Sequence, residues 1–248
     1  MLNDQDWLDI DYRTLFRLRD DTGSAQRRIE RENDPDRSPG PRFWLGGCAS
    51  GNLCGVRADV RDDIAAELAR VAASEPPFFD RATPAHLDRY LHLLAPVEHW
   101  NVGLVYALPH ALRCDAGAGV ALIDGDSDAG RQLRESLATH GMPAGLHSMG
   151  FRGVDDLWSP WCAAVVGGEV ASVAFAARLS DVGAELGVAT APAFRGRGLA
   201  AAVTEGWSRL PSLRTRTLFY STDRDNLASR RVAARLGLAL RGTTLRIA

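Results

Sequence analysis

A strand-like run that breaks at Thr190-Ala191-Pro192-Ala193-Phe194-Arg195-Gly196-Arg197-Gly198-Leu199-Ala200 and opens a helix-like run constrains this chain more than any other stretch. The two glycines let the backbone approach a ligand with no Cβ in the way. A helix starting there aims unpaired N–H groups and the positive end of its dipole into the turn. An anion is the natural occupant, and Arg195 and Arg197 add cationic side chains that are either used there or simply solvated. Gly196, Gly198 and Ala201 also satisfy G-x-G-x-x-A, the dinucleotide fingerprint. That fold needs its first glycine directly off the strand and a wide sheet wound afterwards. Here Pro192 to Arg195 intervene and only residues 199–248 remain, so a dinucleotide fold has little room.

The second pattern in the turn is R-x-x-G-x-A, Arg195 to Ala200, entered from a strand that ends two residues before Pro192. Downstream, Leu218 to Thr222 reads as a strand. Asn226-Leu227-Ala228-Ser229 then starts an amphipathic helix carrying Val232 and Leu236 that stops at Gly237, and Leu236-Gly237-Leu238 leads into a last strand. From about Trp161 to the C-terminus this order resembles the GCN5-related N-acetyltransferases (GNAT), in particular a two-part bacterial subgroup with an added N-terminal region. The resemblance implies an α/β GNAT fold, a mixed and mostly antiparallel central sheet with flanking helices, preceded by a smaller α/β region. The implied division is 1–115, open to being a degenerate GNAT-like half, and 116–248. It also implies acetyl-CoA as co-substrate, no metal, and CoA contacts from Ala189, Thr190, Arg195, Gly196, Arg197, Gly198, Leu199, Ala200, Asn226 and Ser229. Ala189 and Thr190 would offer backbone groups where the strands on either side of the turn splay apart. Asn226 would contact the pantetheine arm, or serve only as a helix cap.

Composition bounds the alternatives. At 248 residues and 46% hydrophobic content the chain is long enough for one large or two small well-buried domains. It contains no lysine; all 29 basic residues are arginine, which excludes lysine Schiff-base chemistry and a Walker A loop. A net charge of −2 gives no general attraction to nucleic acid or anionic membrane. With neither a signal-like N-terminus nor an apolar run of membrane-spanning length, the expected location is cytoplasmic. Cys48, Cys54, Cys114 and Cys162 are too scattered for a disulfide framework and lack zinc-knuckle spacing, and the six histidines form no HExxH-type pair. No metal is expected. The expected partners are a small-molecule amine and, optionally, a second copy of the chain.

Along the first half, Trp7 to Leu18 reads as a helix and the charged run Arg27 to Arg37 as a mobile surface segment. Phe43–Leu45 and Leu53–Val56 read as hairpin arms around Gly46 to Gly51. Helices are expected over Asp59–Ala73, Pro84–Leu94 and Asp128–His140, and strands over Val102–Ala107 and Val120–Ile123. In the second half, Trp161–Val166 and Val170–Ala177 pair through Gly167-Gly168, and Ala184–Thr190 supplies the strand before the turn.

Acetyl transfer to an amine needs a base for the amine, polarisation of a carbonyl and a proton for the departing thiolate. The catalytic candidates are Glu185, Tyr220 and Ser221. Glu185 shares a strand face with Gly187 and Ala189 and is either that base or a solvated strand-edge carboxylate. The resemblance implies a proton-donating tyrosine seven residues after Asn226, where this chain has Ala233; a tyrosine there would point at the thiol end of CoA. Tyr220 or Ser221 stands in for it, unless Tyr220 is a core aromatic. Relatives in the subgroup also often carry an acidic residue where Ala189 stands. The expected activity is direct transfer from acetyl-CoA to a small-molecule amine in a ternary complex. The alternative is a CoA-binding regulatory module that has lost turnover.

Overall fold

The structure, a computed structural model, describes residues 3–19, 28–113 and 119–248; Cys114 and the expected boundary at 115/116 lie outside them. Helix α1 (Asp4–Leu15) starts where the Asn3 side chain accepts the Asp6 N–H, with Asp4 and Asp6 in its first turn complementing the helix dipole. It runs straight into β1 (Phe16–Leu18), which pairs antiparallel with β2 (Arg28–Glu32). The charged run is therefore corrected from surface segment to strand over residues 28–32, with a bend and turn following at 33–36. Ile29 is buried and its charged neighbours have partners inside the molecule, Arg28 on Asp62 and Glu32 on Arg178 and Arg246.

Strands β3 (Phe43–Cys48) and β4 (Gly51–Arg57) form a hairpin with a tighter turn than Gly46–Gly51 suggests. Gly46 and Gly47 are paired within β3, and glycine is needed at 47 because a Cβ there would lie 2.1 Å from the Phe78 carbonyl oxygen. Helices α2 (Asp62–Ala73) and α3 (Leu87–Leu93), then β5 (Trp100–Ala107) and β6 (Val120–Asp124), complete the first half. Next come α4 (Asp128–His140), capped by Ser127, and α5 (Ala144–Ser148). Strands β7 (Trp161–Val166) and β8 (Glu169–Leu179) turn on Gly167 and Gly168, at φ 60° and 87°. They are followed by β9 (Gly183–Thr190), α6 (Leu199–Ser208), β10 (Thr217–Asp223), α7 (Leu227–Arg235) and β11 (Ala239–Ile247).

Among the described residues, eleven strands form one sheet in the order β1-β2-β4-β3-β11-β5-β10-β9-β8-β7-β6. Only β2·β4 and β9·β10 are parallel. β5 comes from the first half of the chain yet lies between β10 and β11, pairing Phe219 with Ala107 on one edge and Ile247 with Trp100 on the other.

Strand alternation then divides the core. Phe43, Leu45, Val102 and Leu245 pack with Leu68 of α2, and Ala184, Leu186 and Tyr220 with Val203 and Trp207 of α6 and Ala233 of α7, on one face. On the other, α1 places Tyr12 on Trp44 and Trp7 on Phe219, and Leu137 and Leu146 of α4 and α5 pack on Trp161 and Val173.

Candidate functional site

The strands on either side of the glycine turn part after three residue pairs. β9 and β10 are in parallel register only at Gly183–Thr217, Ala184–Leu218 and Glu185–Phe219. Beyond that, β9 continues to Thr190 against β8 alone, and β10 continues to Asp223 against β5 alone. The gap is a cleft of about 440 Å³ that brings together Glu185, Tyr220, Ser221, Asn226 and Ser229. Ala189, Thr190 and the 195–200 turn do not line it; they follow Val188, which does, at the far end of β9. By alternation Glu185, Ser221 and Asp223 face the α1 side, with Asn101 and Arg246, and Tyr220 faces α6 and α7. The cleft therefore opens to both faces of the sheet.

At the turn, Gly196 and Gly198 take φ 77° and 80°, a conformation that disfavours other residues, and Gly198 caps α6 with no side chain bonded to the first N–H groups. A Cβ on Gly196 would meet nothing within 4 Å, so backbone lies open there. Arg235 of α7, which the sequence reading did not single out, brings its guanidinium to 2.9 Å from where a Gly198 Cβ would sit. Arg197 stacks over Phe194 at 5.4 Å, and Arg195 Nε donates to the Thr190 carbonyl at 3.3 Å. Three guanidinium groups beside free helix N–H groups suit a polyanion such as a pyrophosphate, so the residues fit the phosphate end of CoA.

On the α1 face Glu185 is not a solvated edge carboxylate. It is 7% exposed, and its Oε2 accepts from Arg178 Nη1 at 3.0 Å. Arg178 Nε in turn donates to Glu32 Oε2 at 2.9 Å, and Arg246 donates to the other oxygen of Glu32. A one-residue bulge in β8 between Ala176 and Arg178 creates this pairing, since it sets Arg178 rather than Ala177 opposite Glu185. Burial opposes the charge of Arg178, but Glu185 and Glu32 outweigh it and raise the pKa of its guanidinium. Behind the network sits Asp11 of α1, fully buried with neither carboxyl oxygen hydrogen-bonded to any described residue. Burial first and the neighbouring Glu185 second push the Asp11 carboxyl well above the usual carboxylate range, against the pull of Arg246 and Arg178. None of Asp11, Glu32, Arg178 and Arg246 belongs to a local motif; a polar residue on an otherwise apolar helix face was the only signal for Asp11.

Tyr220 is both a core aromatic and a cleft residue: its ring packs near Tyr106, and its hydroxyl lies 2.8 Å from Ser229 Oγ. Burial raises its pKa, the Ser229 hydrogen bond only partly opposing this, so the phenol keeps its proton. The buried Ser221 Oγ has no hydrogen-bond partner among the described residues. Asn226 caps α7 by accepting the Ser229 N–H at 3.1 Å and lines the cleft as well. Ala233 overturns one expectation. It is 1% exposed and packs in the α6 core cluster, so a tyrosine there would be driven into the core instead of toward a thiol.

Among the described residues, no three His, Cys, Asp or Glu side chains are grouped to hold a metal, and no helix is long and apolar enough to cross a membrane. Cys48 and Cys162 are buried thiols outside any disulfide among the described residues, and burial pushes Cys162 up to about 12.

The GNAT acetyltransferase family model matches residues 162–244, from β7 to β11. The structure is similar to a GNAT-family protein from Novosphingobium aromaticivorans at 20% identity and TM-score 0.39, covering 61% of this chain and 65% of that one. A GCN5-related N-acetyltransferase from Kribbella flavida is similar at 16% identity and TM-score 0.43, covering 66% of this chain and 63% of that one. The chain thus spans just under two thirds of the length of both. A GCN5-related N-acetyltransferase-like protein from Streptococcus suis is similar at 17% identity and TM-score 0.43, with 87% of this chain and 86% of that one covered. No curated protein sequence matches it.

Proposed function

We propose that this chain, whose residues 162–244 match the GNAT acetyltransferase family model, transfers an acetyl group from acetyl-CoA to the amine of a small molecule by direct attack in a ternary complex. The observation that carries this reading is the through-sheet cleft, with Glu185 and Ser221 on one face and Tyr220 on the other, at the end of the strand that leads into the 195–200 turn. The turn, with Arg195, Arg197 and Arg235, holds the pyrophosphate. Asn226 and Ser229, which line the cleft, and the Ala189–Thr190 backbone, which follows it along β9 toward the turn, guide the pantetheine arm.

Bound in this way, acetyl-CoA supplies a thioester carbonyl open to attack by nitrogen. Glu185 takes the proton that the ammonium must lose, directly or through a water. Arg178 fixes the Glu185 carboxylate, and Glu32 fixes Arg178. As the C–N bond forms and the C–S bond breaks, the sulfur takes a proton from the Tyr220 hydroxyl or from Ser221 Oγ, which has no hydrogen-bond partner among the described residues, and the second proton shed by the nitrogen restores that hydroxyl. The N-terminal part of the chain supplies Leu15 of α1, Trp44 of β3 and Asn101, Gly103 and Val105 of β5, which wall the acceptor side of the cleft.

Calorimetry with CoA, followed by acetyl transfer across an amine panel, tests the reading. Gly198→Asp sets a carboxylate against the pyrophosphate and neutralises Arg235, so CoA affinity falls about ten- to a hundred-fold, on the order of 1–3 kcal/mol. Glu185→Gln keeps CoA binding and lowers turnover by roughly a hundred-fold. CoA binding without transfer to any amine would support a regulatory module instead, and unchanged affinity in folded Gly198→Asp would falsify the cradle.

A further inference from the structure

The cleft does not end at the sheet. Its α1-side mouth shares Asn101 and Arg246, cross-strand neighbours on β5 and β11, with a second cavity of about 520 Å³. That cavity is lined by Arg42, Arg57 and Arg246, with His99 and Glu98, and is walled by Pro39, Pro41 and Pro96. Arg57 is held by Asp59 at 2.8 Å and Arg246 by Glu32. Arg42 differs: its Nη1 donates to the Leu94 and Pro96 carbonyls at 2.6 and 2.7 Å, and it makes no carboxylate ion pair among the described residues. Those carbonyls fix its position without cancelling its charge. Proline walls keep the cavity shape with little ordering cost on binding.

We propose that this cavity is an acceptor subsite for an anion, and that the amine acylated at Glu185 carries a carboxylate or phosphate at its far end. The inference rests on the acyl-transfer reading. It adds the substrate class: the amine enters from the α1 face, with its nitrogen at Glu185 and its anion reaching past Asn101 to Arg42 and Arg246. Carboxylate and phosphate both match the planar guanidinium fork. Glu98, which lines the cavity, opposes the anion and favours a single charge over a polyanion.

The test compares straight-chain alkylamines with ω-amino carboxylates and ω-aminoalkyl phosphates of increasing length. Each series is read by turnover with acetyl-CoA and, independently, by calorimetric binding to the CoA-saturated protein. An anionic series should exceed alkylamines of equal length by ten-fold or more at one optimum length, and the series that does so names the anion. In Arg42→Gln the ratio falls toward one, and Arg57→Gln lowers it less, because Asp59 already engages that guanidinium. Equal binding of alkylamines and both anionic series to the wild type overturns the subsite, whatever the variants do. Preferential anion binding with no acetyl transfer leaves the subsite standing and removes the transfer reading.

Discussion

Asp11 is a buried carboxyl with no hydrogen bond among the described residues, at the back of an ionic network. Its native pKa is raised, so between the unfolded value near 4 and that raised value the native state binds the extra proton, and stability falls as pH rises through this window. Asp11→Asn removes the titration and approximates the protonated form. Its melting temperature should therefore gain on the wild type as pH rises from about 4, with the two converging below that; a pH-independent gap would mean that Asp11 titrates normally. The same logic of buried space governs Ala233. Forcing a phenol into that packed position should cost about 1–3 kcal/mol or more by overpacking and confer no turnover, as read by urea midpoint and acetyl transfer. A gain in turnover would show that α7 presents this position to the cleft after all.

At the scale of elements, the second half was legible because its signals are local. The Gly167-Gly168 turn, the alternation through 161–190 and the capping at Asn226 each specify their structure within a few residues, and the elements lie where those signals put them. Glu185, Tyr220, Ser221, Asn226 and Ser229 could be placed near one another from sequence because β9, β10 and the start of α7, which carry them, each have local signals. What was not legible depends on distant partners. Glu32 looks like part of a solvated charge run until Arg178 and Arg246 arrive from 146 and 214 residues away. The β8 bulge is equally silent, because an extra residue leaves no trace in an alanine-rich strand. Ala233 misled because helical periodicity places it two turns from Asn226 without stating which face the core occupies.

At the scale of the whole molecule, β5 ties the halves together. A protein cut to residues 116–248 would leave facing edges of β10 and β11 without the strand that joins them, and would lose the α1 cover over Phe219. Expressed alone, this piece should be insoluble or lack a cooperative melt, and co-expressed with residues 1–115 it should recover a single transition. Independent folding of the piece, with a sharp melt of its own, would contradict this. During synthesis the same insertion imposes an order of events. β5 leaves the ribosome carrying Val102, Leu104 and Val105 with both edges bare, and neither neighbour exists until residues 217–247 have been translated. Such long-range pairing is slow and leaves an adhesive strand exposed while the chain grows. The stretch from Trp100 to Ala107 thus stays open to pairing with other chains until the last strands are delivered.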